Sequence, residues 1–475
     1  MRPSLLLAAA LLAAAPIFAA APAAPATNVL LLVVDDLNLA LGTYGNREVK
    51  TPHFDRLAAR GVRFDRAYSQ YPLCGPSRVS FLTGRRPETT GVYILNTPAR
   101  TALPDAVTLP QFFRQHGRRT VGAGKIFHNA RTSDPAAWDE YRDDATTDPG
   151  EKAAIESRYG GGDGRPAWQA LAGDGSATRD GVNTARIRGL LAEHGRSGKP
   201  FFLAAGFHKP HLPWTAPQRF FDLYRETKIV LPPEPPLQDV PAIALQTELS
   251  GFAQPSSRIE AIRAYYACVS FIDAQIGTLL DELDRHDLWK NTVVVLFSDH
   301  GFHLGDHGGL WAKLSAFDEA TRVPLLIAGA GIPAGRSVAA PVELIDVYPT
   351  LADLAGLKPA GPLDGRSLRP LWENPDSASA NRVAYSLVYH YDVAGKRDVA
   401  GRTVIGPTWR YTEWDGGRAG REFYPRRPEG EYRNLVADPA LQPTITGAAA
   451  KLAEIPSPKP GPANRPRALV PAAKQ

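Results

Sequence analysis

The chain has 475 residues, a formal net charge of +5 at pH 7 and only two cysteines. This length exceeds what one hydrophobic core usually serves, so we expect a large domain and a smaller one. Two cysteines exclude a disulfide framework, and the mild positive charge includes no basic run of the kind that binds nucleic acid.

The N-terminus has the pattern of a secretory signal peptide over residues 1–26. Arg2 precedes an apolar run from Leu5 to Ala15, and small residues with several A-x-A sites follow. That run is shorter than the roughly 20 apolar residues of a membrane span, and no later segment is apolar enough to cross a bilayer. We therefore expect export to the periplasm or beyond, with cleavage near Ala21–Ala26; a buried N-terminal helix is the alternative.

Apolar runs alternate with helical periodicity through most of the chain. The runs, which are typical of strands buried on both faces of a parallel sheet, lie at 28–36, 119–125, 200–207, 292–301 and 323–330. Helical patterns lie between them, at 51–61, 108–117, 180–195 and 258–286. This alternation predicts a doubly wound α/β sheet, in which ligands bind beyond the carboxyl ends of the strands.

The composition of the sequence changes after residue 372. Short aromatic, turn-rich segments follow and predict a small antiparallel sheet, and the last twenty residues are rich in proline. We therefore expect a signal peptide at 1–26, a catalytic α/β domain at 27–372, an antiparallel-sheet subdomain at 373–455 and a mobile tail at 456–475.

Two of the predicted strands end in pairs of residues that can bind a metal. Asp35 and Asp36 close the first strand, and Asp299 and His300 close the strand that ends near residue 298. A single aspartate at a strand end can be a helix cap. Two such pairs instead indicate a hard divalent cation, and their oxygen-rich ligand set suits calcium, magnesium or manganese.

One of the two cysteines, Cys74, lies in the segment YPLCGPSRVSFLTGRRP at 71–87. Pro76 and Ser77 mark the start of a predicted helix, which places Cys74 where backbone N–H groups favour an anion and Arg78 one turn further on. A loop cysteine without a role is the alternative. A bridge to Cys268 is arithmetically possible, but Cys268 lies in a helical pattern where cysteine is a small core residue.

The segment from Cys74 to Arg78, followed by L-T-G-R at 82–85, resembles the C-x-P-S-R signature of the type I sulfatases. The similarity extends over nearly the whole mature chain, since NVLLLVVDDL, GKIFH, HKPHLP and SDHGFHLGDHG match landmarks of the family in type and order. The Asp–His pair at 299–300 is similar to the iduronate-2-sulfatase branch. The resemblance implies an alkaline-phosphatase-like fold, with a large mixed, mostly parallel sheet flanked by helices and a smaller C-terminal antiparallel sheet.

The resemblance also implies the cofactors and the site residues. In this family a formylglycine-generating enzyme oxidises the cysteine, here Cys74, to Cα-formylglycine before folding finishes, and one calcium ion is bound, with magnesium as the alternative. The implied metal ligands are Asp35, Asp36, Asp299, His300 and the modified Cys74. The other implied catalytic residues are Arg78, Lys125, His128, His211 and Lys313.

Roles follow from the same resemblance. Arg78, Lys125 and Lys313 would supply positive charge to the sulfate. His128 suits proton removal and His211 suits proton donation to the departing alcohol, although which histidine is acid and which is base stays open. His208 and Lys209 either face the substrate or have a structural role.

The implied activity is removal of sulfate from a sulfated glycan, such as a uronic acid ester of the iduronate-2-sulfate kind. A choline or aryl sulfatase, or a phosphoester or phosphonate hydrolase on the same scaffold, is the alternative. A non-catalytic glycan-binding protein is disfavoured because Cys74 and Arg78 are intact. His303 and His307 are interpreted as part of a glycine-rich loop and not as zinc ligands, and specificity is expected from the loops 131–180 and 385–430.

Overall fold

A computed structural model of the chain describes residues 28–156, 168–232, 235–247, 254–374, 382–427, 430–462 and 468–469. The predicted signal peptide and most of the predicted tail lie outside these residues. The first part of the predicted tail contacts the domain, because the backbone N–H of Lys459 donates to the hydroxyl of Tyr93 at 3.1 Å.

The secondary-structure elements are numbered in chain order. The strands are β1 (Asn28–Asp35), β2 (Gly61–Tyr68), β3 (Arg119–Gly124), β4 (Glu140–Arg142), β5 (Trp168–Leu171), β6 (Phe201–Pro210), β7 (Trp214–Pro217), β8 (Gln246–Thr247), β9 (Thr292–Ser298), β10 (His303–Leu304), β11 (Trp311–Ala312), β12 (Arg322–Gly329), β13 (Arg336–Val338), β14 (Val342–Glu343), β15 (Ala384–Asp392), β16 (Arg397–Ile405), β17 (Trp409–Trp414), β18 (Gly420–Pro425) and β19 (Ala468–Leu469). The helices are α1 (Pro52–Ala59), α2 (Cys74–Thr83), α3 (Pro87–Thr90), α4 (Ala99–Ala102), α5 (Leu109–Gln115), α6 (Pro149–Glu156), α7 (Arg179–Ser197), α8 (Gln218–Asp222), α9 (Pro255–Arg285), α10 (Asp318–Thr321), α11 (Val347–Leu354), α12 (Arg369–Glu373) and α13 (Gln442–Ala453).

The central sheet is mixed and mostly parallel, as predicted. Its strand order is β13-β2-β12-β9-β1-β6-β3-β4, and β14 also pairs with β2. β1 lies between β6 and β9 and is parallel to both. β12 runs antiparallel to its two neighbours, β2 and β9. The carboxyl ends of β1, β6 and β9 therefore meet at one edge of the sheet.

Strand β1 is buried along its whole length because helices cover both faces of the sheet. Leu30, Leu32 and Val34 belong to a core with residues of α1, α7 and α9. The alternate residues Val29 and Leu31 belong to a second core with residues of α2, α5 and α11. The continuous apolar run in the sequence thus reflects alternation between two buried faces.

A separate antiparallel sheet forms from β15, β16, β17 and β18 in sequential order. On one side α13 packs against it, and Ile445 and Leu452 lie in an apolar cluster with Val404 and Tyr411. On the other side, residues such as Trp414 cluster with the segment 310–317 of the large domain. The C-terminal sheet therefore supports a loop that reaches the candidate site described below.

None of the described helices combines the length and the apolar character that a membrane crossing requires.

Asp273, on α9, connects that helix to the first turn of α1. Its carboxylate accepts hydrogen bonds from the backbone N–H groups of His53 and Phe54, at 2.9 and 2.8 Å, and so caps the first turn of α1. We predict that Asp273→Ala lowers the free energy of unfolding by about 0.5–2 kcal/mol, the range for loss of a helix cap. Chemical denaturation measures this change.

Asp105, an exposed loop residue, provides the matched control. Asp105→Ala is expected to stay within about 0.5 kcal/mol of the parent chain. If the two variants proved equally stable, Asp273 would have no capping role.

Candidate active site

The two predicted acidic strand ends meet at the carboxyl edge of the sheet. Val34 of β1 pairs with Ser298 of β9, so the residues that follow lie side by side. His300 Nε2 is 3.4 Å from Asp36 Oδ1 and 3.6 Å from Asp299 Oδ2. The backbone N–H of Asp36 donates to Asp299 Oδ1 at 3.4 Å. Parallel pairing of the two buried strands thus brings together all four predicted metal ligands, Asp35 included.

The chain leaves the extended conformation immediately after β1. Asp36 has φ of +62°, in the left-handed region that few residues other than glycine adopt. This turn ends the alternation of side chains along β1, and Asp35 and Asp36 both contact cations of the same site. Strained backbone of this kind is concentrated at functional sites.

Cys74 is the first residue of α2, and its side chain lies against the predicted metal ligands. Its Sγ is 3.3 Å from His300 Nε2, 3.3 Å from Lys313 Nζ and 3.8 Å from Lys125 Nζ. Burial and the nearby Asp35 carboxylate raise the pKa of the thiol. The second cysteine, Cys268, is buried elsewhere in α9, and both are free thiols.

Arg78 follows Cys74 by one turn of α2 and is completely buried. Its Nε donates to Asp299 Oδ2 at 2.9 Å, and its Nη2 lies 3.3 Å from Asp35 Oδ1. Its Nη1 donates to the carbonyl of Ile126 at 3.1 Å and also to that of Lys125. Arg78 therefore neutralises the strand-end acids and fixes α2 against the chain that leaves β3.

Two lysines complete the charge balance of the site. Lys125, directly after β3, donates to Asp35, and Lys313 Nζ donates to Asp36 Oδ1 at 2.6 Å. Burial alone would raise the pKa of Asp35, but the charges of Lys125, His211 and Arg78 hold it well below its usual range. The carboxylates of Asp35, Asp36 and Asp299 thus face the cations Arg78, Lys125 and Lys313.

Two further predicted residues, His128 and His211, line a cavity of about 220 Å³ beside these charges. Burial and the neighbouring Lys125 lower the pKa of His128 to about 3. The Nδ1 of His211 is 2.7 Å from the carbonyl of Leu212, and its Nε2 lies 4.0 Å from Asp36 Oδ2. The Nε2 atom of His211 is therefore the one that faces the charged site.

His208 and Lys209 line the same cavity but differ in their surroundings. The ammonium of Lys209 donates to the carbonyl of Pro213 at 2.7 Å and lies 3.6 Å from Glu151, so it is largely held within the chain. The His208 imidazole lies between Asp143 and Asp180, at 3.4 and 3.5 Å. Asp143 and Arg179 also line the cavity and were not predicted, because the loop 131–180 that contains them carries no spacing signal.

His303 and His307 lie outside this site, in a second polar cluster with Asp306 and Glu319. His303 Nε2 is 2.6 Å from the hydroxyl of Ser315, and Asp306 contacts both imidazoles. The ring of His307 stacks between Phe317 and Tyr432, with centroids 4.0 and 4.5 Å away. These contacts use both ring nitrogens of His303 and the Nδ1 of His307, and the donor atoms of the cluster also converge closely enough to hold a metal.

Residues of the predicted specificity loop 385–430 border a different cavity. This larger cavity, of about 450 Å³, is lined by residues that include Leu304, Trp409 and Arg410, and by none of the predicted catalytic residues. We therefore place the candidate site in the smaller cavity, which is the one beside the charged strand ends.

The donor set at the strand ends fits a calcium ion in size and chemistry. Ligand atoms from Asp35, Cys74, Asp299 and His300 lie within 4.8 Å of one another. Calcium binds oxygen at about 2.3–2.6 Å, so ligands on opposite sides of one ion are separated by about this span. Asp35 and Asp299 supply two carboxylates to this set, and Asp36 belongs to an overlapping set with Asp35, Cys74 and His211. Carboxylates are the ligands that such a hard cation prefers.

Comparison with known proteins agrees with the architecture and with these motifs. The sulfatase family model matches residues 27–357. A sulfatase of Formosa agariphila is 34% identical over 84% of this chain and 80% of its own length. Iduronate 2-sulfatase of Mus musculus is 33% identical over 87% of this chain and 89% of its own.

Among solved structures, a phosphonate monoester hydrolase from Silicibacter pomeroyi superposes with a TM-score of 0.74, covering 90% of this chain and 94% of its own, at 22% identity. At that identity the likeness concerns the fold alone. The family match and the two relatives establish more: this chain is a member of the type I sulfatase family, enzymes that hydrolyse sulfate esters.

Proposed function

We propose that the chain removes sulfate from a sulfated sugar, using Cα-formylglycine formed from Cys74 and one bound calcium ion. The observation that carries this proposal is the position of Cys74. Its side chain lies at the N-terminus of α2, against Lys125, Lys313 and the ligand His300. A nucleophile there would face a sulfate surrounded by positive charge.

Formylglycine and the calcium ion would each supply one part of the chemistry. Formylglycine at position 74 would supply, as its hydrate, two hydroxyls on one carbon, one to act as the nucleophile toward sulfur and one to allow release of the sulfate. A calcium ion held by Asp35, Asp36, Asp299 and His300 would supply a Lewis acid next to the ester oxygens.

The residues of the chain provide charge and proton transfer. Arg78, Lys125 and Lys313 are buried and fixed by the acids, so they present positive charge without reorganisation when negative charge accumulates on the sulfate. His211 Nε2 faces the site and would give its proton to the departing alkoxide. His128, on the same cavity, would accept a proton from residue 74.

Several observations bear on the alternatives. The fold likeness to a phosphonate monoester hydrolase keeps a phosphoester or phosphonate activity as a second candidate. Sulfated sugars are favoured because an iduronate 2-sulfatase is among the similar proteins. Export directed by residues 1–26 and modification by a formylglycine-generating enzyme belong to the same proposal.

Release of sulfate from a substrate panel tests the whole proposal. The chain would be co-expressed with a formylglycine-generating enzyme and assayed on monosaccharide sulfates, choline sulfate, 4-nitrophenyl sulfate and 4-nitrophenyl phosphonate esters. We expect the highest kcat/KM on a sugar sulfate. Preference for the phosphonate ester would instead favour the second candidate.

We predict that Cys74 is converted to formylglycine in the active protein. Peptide mass spectrometry should show that the thiol sulfur of residue 74 is replaced by an aldehyde oxygen, while Cys268 in the same digest remains a cysteine. Cys268 is the internal control because it is the other cysteine of the chain. A fully active preparation with an intact Cys74 thiol would disprove the proposed mechanism.

We predict one tightly bound divalent ion per chain, found by elemental analysis as calcium. Asp35→Asn and Asp299→Asn each remove a carboxylate ligand and should weaken metal binding by more than about tenfold. Loss of a residue that only hydrogen-bonds to a ligand already weakens binding by about that factor. Glu319→Gln, in the separate histidine cluster, is the control and should keep the ion. Loss of the ion in Glu319→Gln alone would show that the metal binds in the histidine cluster and not at the strand ends.

We predict that His211→Ala harms hydrolysis of poor leaving groups most. A sugar alkoxide is a strong base that needs a proton, whereas nitrophenolate leaves with little help, and general acid catalysis contributes about 10²–10⁴-fold. The kcat/KM of His211→Ala should therefore fall at least about tenfold more on a sugar sulfate than on 4-nitrophenyl sulfate. Equal losses on the two substrates would mean that His211 positions sulfate and donates no proton.

A further inference from the structure

The active-site cavity has a second row of polar residues besides those next to the charged strand ends. The cavity has Lys125, His128 and His211 at its sulfate end, and Asp143, Arg179 and His208 line another part of it. Cavities for drug-sized ligands measure about 300–1,000 Å³. At about 220 Å³ this one encloses a smaller group, such as a single sugar ring.

The row is built from contacts between three separate segments. Arg179, at the start of α7, donates from Nη2 to Asp143 Oδ2 at 2.8 Å. The other carboxylate oxygen of Asp143 lies 3.4 Å from His208 Nε2, and His208 Nδ1 lies 3.5 Å from Asp180. The side chain of Asp143 is only 6% exposed, whereas those of Arg179 and His208 are 32% and 14% exposed.

These contacts do not use all of the hydrogen-bonding capacity of the row. Within the described parts of the chain, Arg179 Nε makes no hydrogen bond, and Asp143 Oδ1 and His208 Nδ1 have only the longer contacts of 3.4 and 3.5 Å given above. Buried polar atoms in native proteins are nearly always paired, with the chain, with water or with a ligand. The exposed parts of Arg179 and His208 border the cavity, so this row can still offer hydrogen bonds to a polar ligand.

The charge of the row indicates which polar ligand fits. The carboxylates of Asp143, Asp180 and Glu151 outnumber the fixed cations of Arg179 and Lys209. A further carboxylate would meet repulsion here, so this wall does not suit the acid group of a uronate. A sugar hydroxyl, which both donates and accepts, matches an Asp–Arg pair that offers an acceptor next to a donor.

We infer that Asp143, Arg179 and His208 bind ring hydroxyls of the sugar that carries the scissile sulfate. This inference rests on the proposed function and adds to it a source of selectivity. Choline and simple aryl sulfates carry no ring hydroxyls, so they would gain nothing from this wall. Hydrogen bonds to a charged partner contribute about 1.5–3 kcal/mol each, which corresponds to about tenfold or more in kcat/KM.

The test compares substrates that differ in their hydroxyls. Methyl 2-O-sulfo-α-L-iduronoside, its 3-deoxy analogue and its neutral counterpart with a hydroxymethyl group in place of the carboxylate would be assayed beside 4-nitrophenyl sulfate. With the parent enzyme, loss of the 3-hydroxyl should lower kcat/KM at least tenfold. The neutral sugar should show the same dependence on Asp143 as the uronate.

The variants are Asp143→Ala and Arg179→Gln, with Asp144→Asn as the matched control, because Asp144 is the adjacent acid and does not line the cavity. Each variant of the row should lose at least tenfold more kcat/KM on the sugar sulfate than on 4-nitrophenyl sulfate, and little further on the 3-deoxy sugar. The control should match the parent on all substrates, and thermal melting checks that each variant folds.

Three results would overturn the inference. One is an equal loss on sugar and aryl substrates together with no effect of the 3-hydroxyl on the parent enzyme. The second is a loss of kcat/KM for Arg179→Gln on the uronate but not on the neutral sugar, which would mean that Arg179 binds the carboxylate of the substrate. If the parent enzyme hydrolysed 4-nitrophenyl sulfate but no sugar sulfate, the inference would also fail, whereas inactivity on every sulfate ester would contradict the proposed function itself.

Discussion

Three carboxylates and three cations, buried together where β1 and β9 end, set the condition that the rest of the structure must satisfy. Removing such charges from water costs several kcal/mol per ion, and only close pairing recovers it. Asp35, Asp36 and Asp299 are almost fully buried, so their partners must be fixed accurately. The cations come from three separate elements: α2, the end of β3 and the loop after β11. The central sheet and its two apolar cores hold these elements in one place.

The loop that carries Lys313 shows how a distant part of the chain contributes to this balance. Ala312 and Leu314, on either side of Lys313, have φ of +75° and +62°. Such backbone persists only when its surroundings enforce it. The C-terminal sheet provides those surroundings, because His390 on β15 contacts the carbonyl of Leu314 at 2.6 Å and Arg410 donates to that of Ala316 at 2.9 Å. The smaller sheet is therefore part of what positions Lys313, the lysine proposed to act on the sulfate.

Elementary sequence reasoning could predict the centre of the fold and of the site, since both depend on simple patterns. Apolar runs bounded by acids identified β1 and β9, and parallel pairing requires that their ends meet. The same reasoning missed β2, because Arg63 and Asp65 interrupt its apolar residues, and no run of apolar residues reveals that β12 is antiparallel. Lys313 and His211 were found only by resemblance to a family. Asp143 and Arg179 were not found at all, since 36 residues separate them and only tertiary structure pairs them.

The complete burial of α2 has a consequence for how active protein is made. All ten residues of this helix are buried in the folded chain, including Cys74 and the residues Pro76 and Arg78 that follow it. If Cys74 is modified as proposed, the modifying enzyme must act on a chain that has not yet formed this helix. Folding and modification then compete, so the fraction of active molecules depends on the ratio of two rates and not on the stability of the product. Substitutions that accelerate folding of the sheet around α2 would then lower specific activity, and substitutions that delay its folding would have the opposite effect.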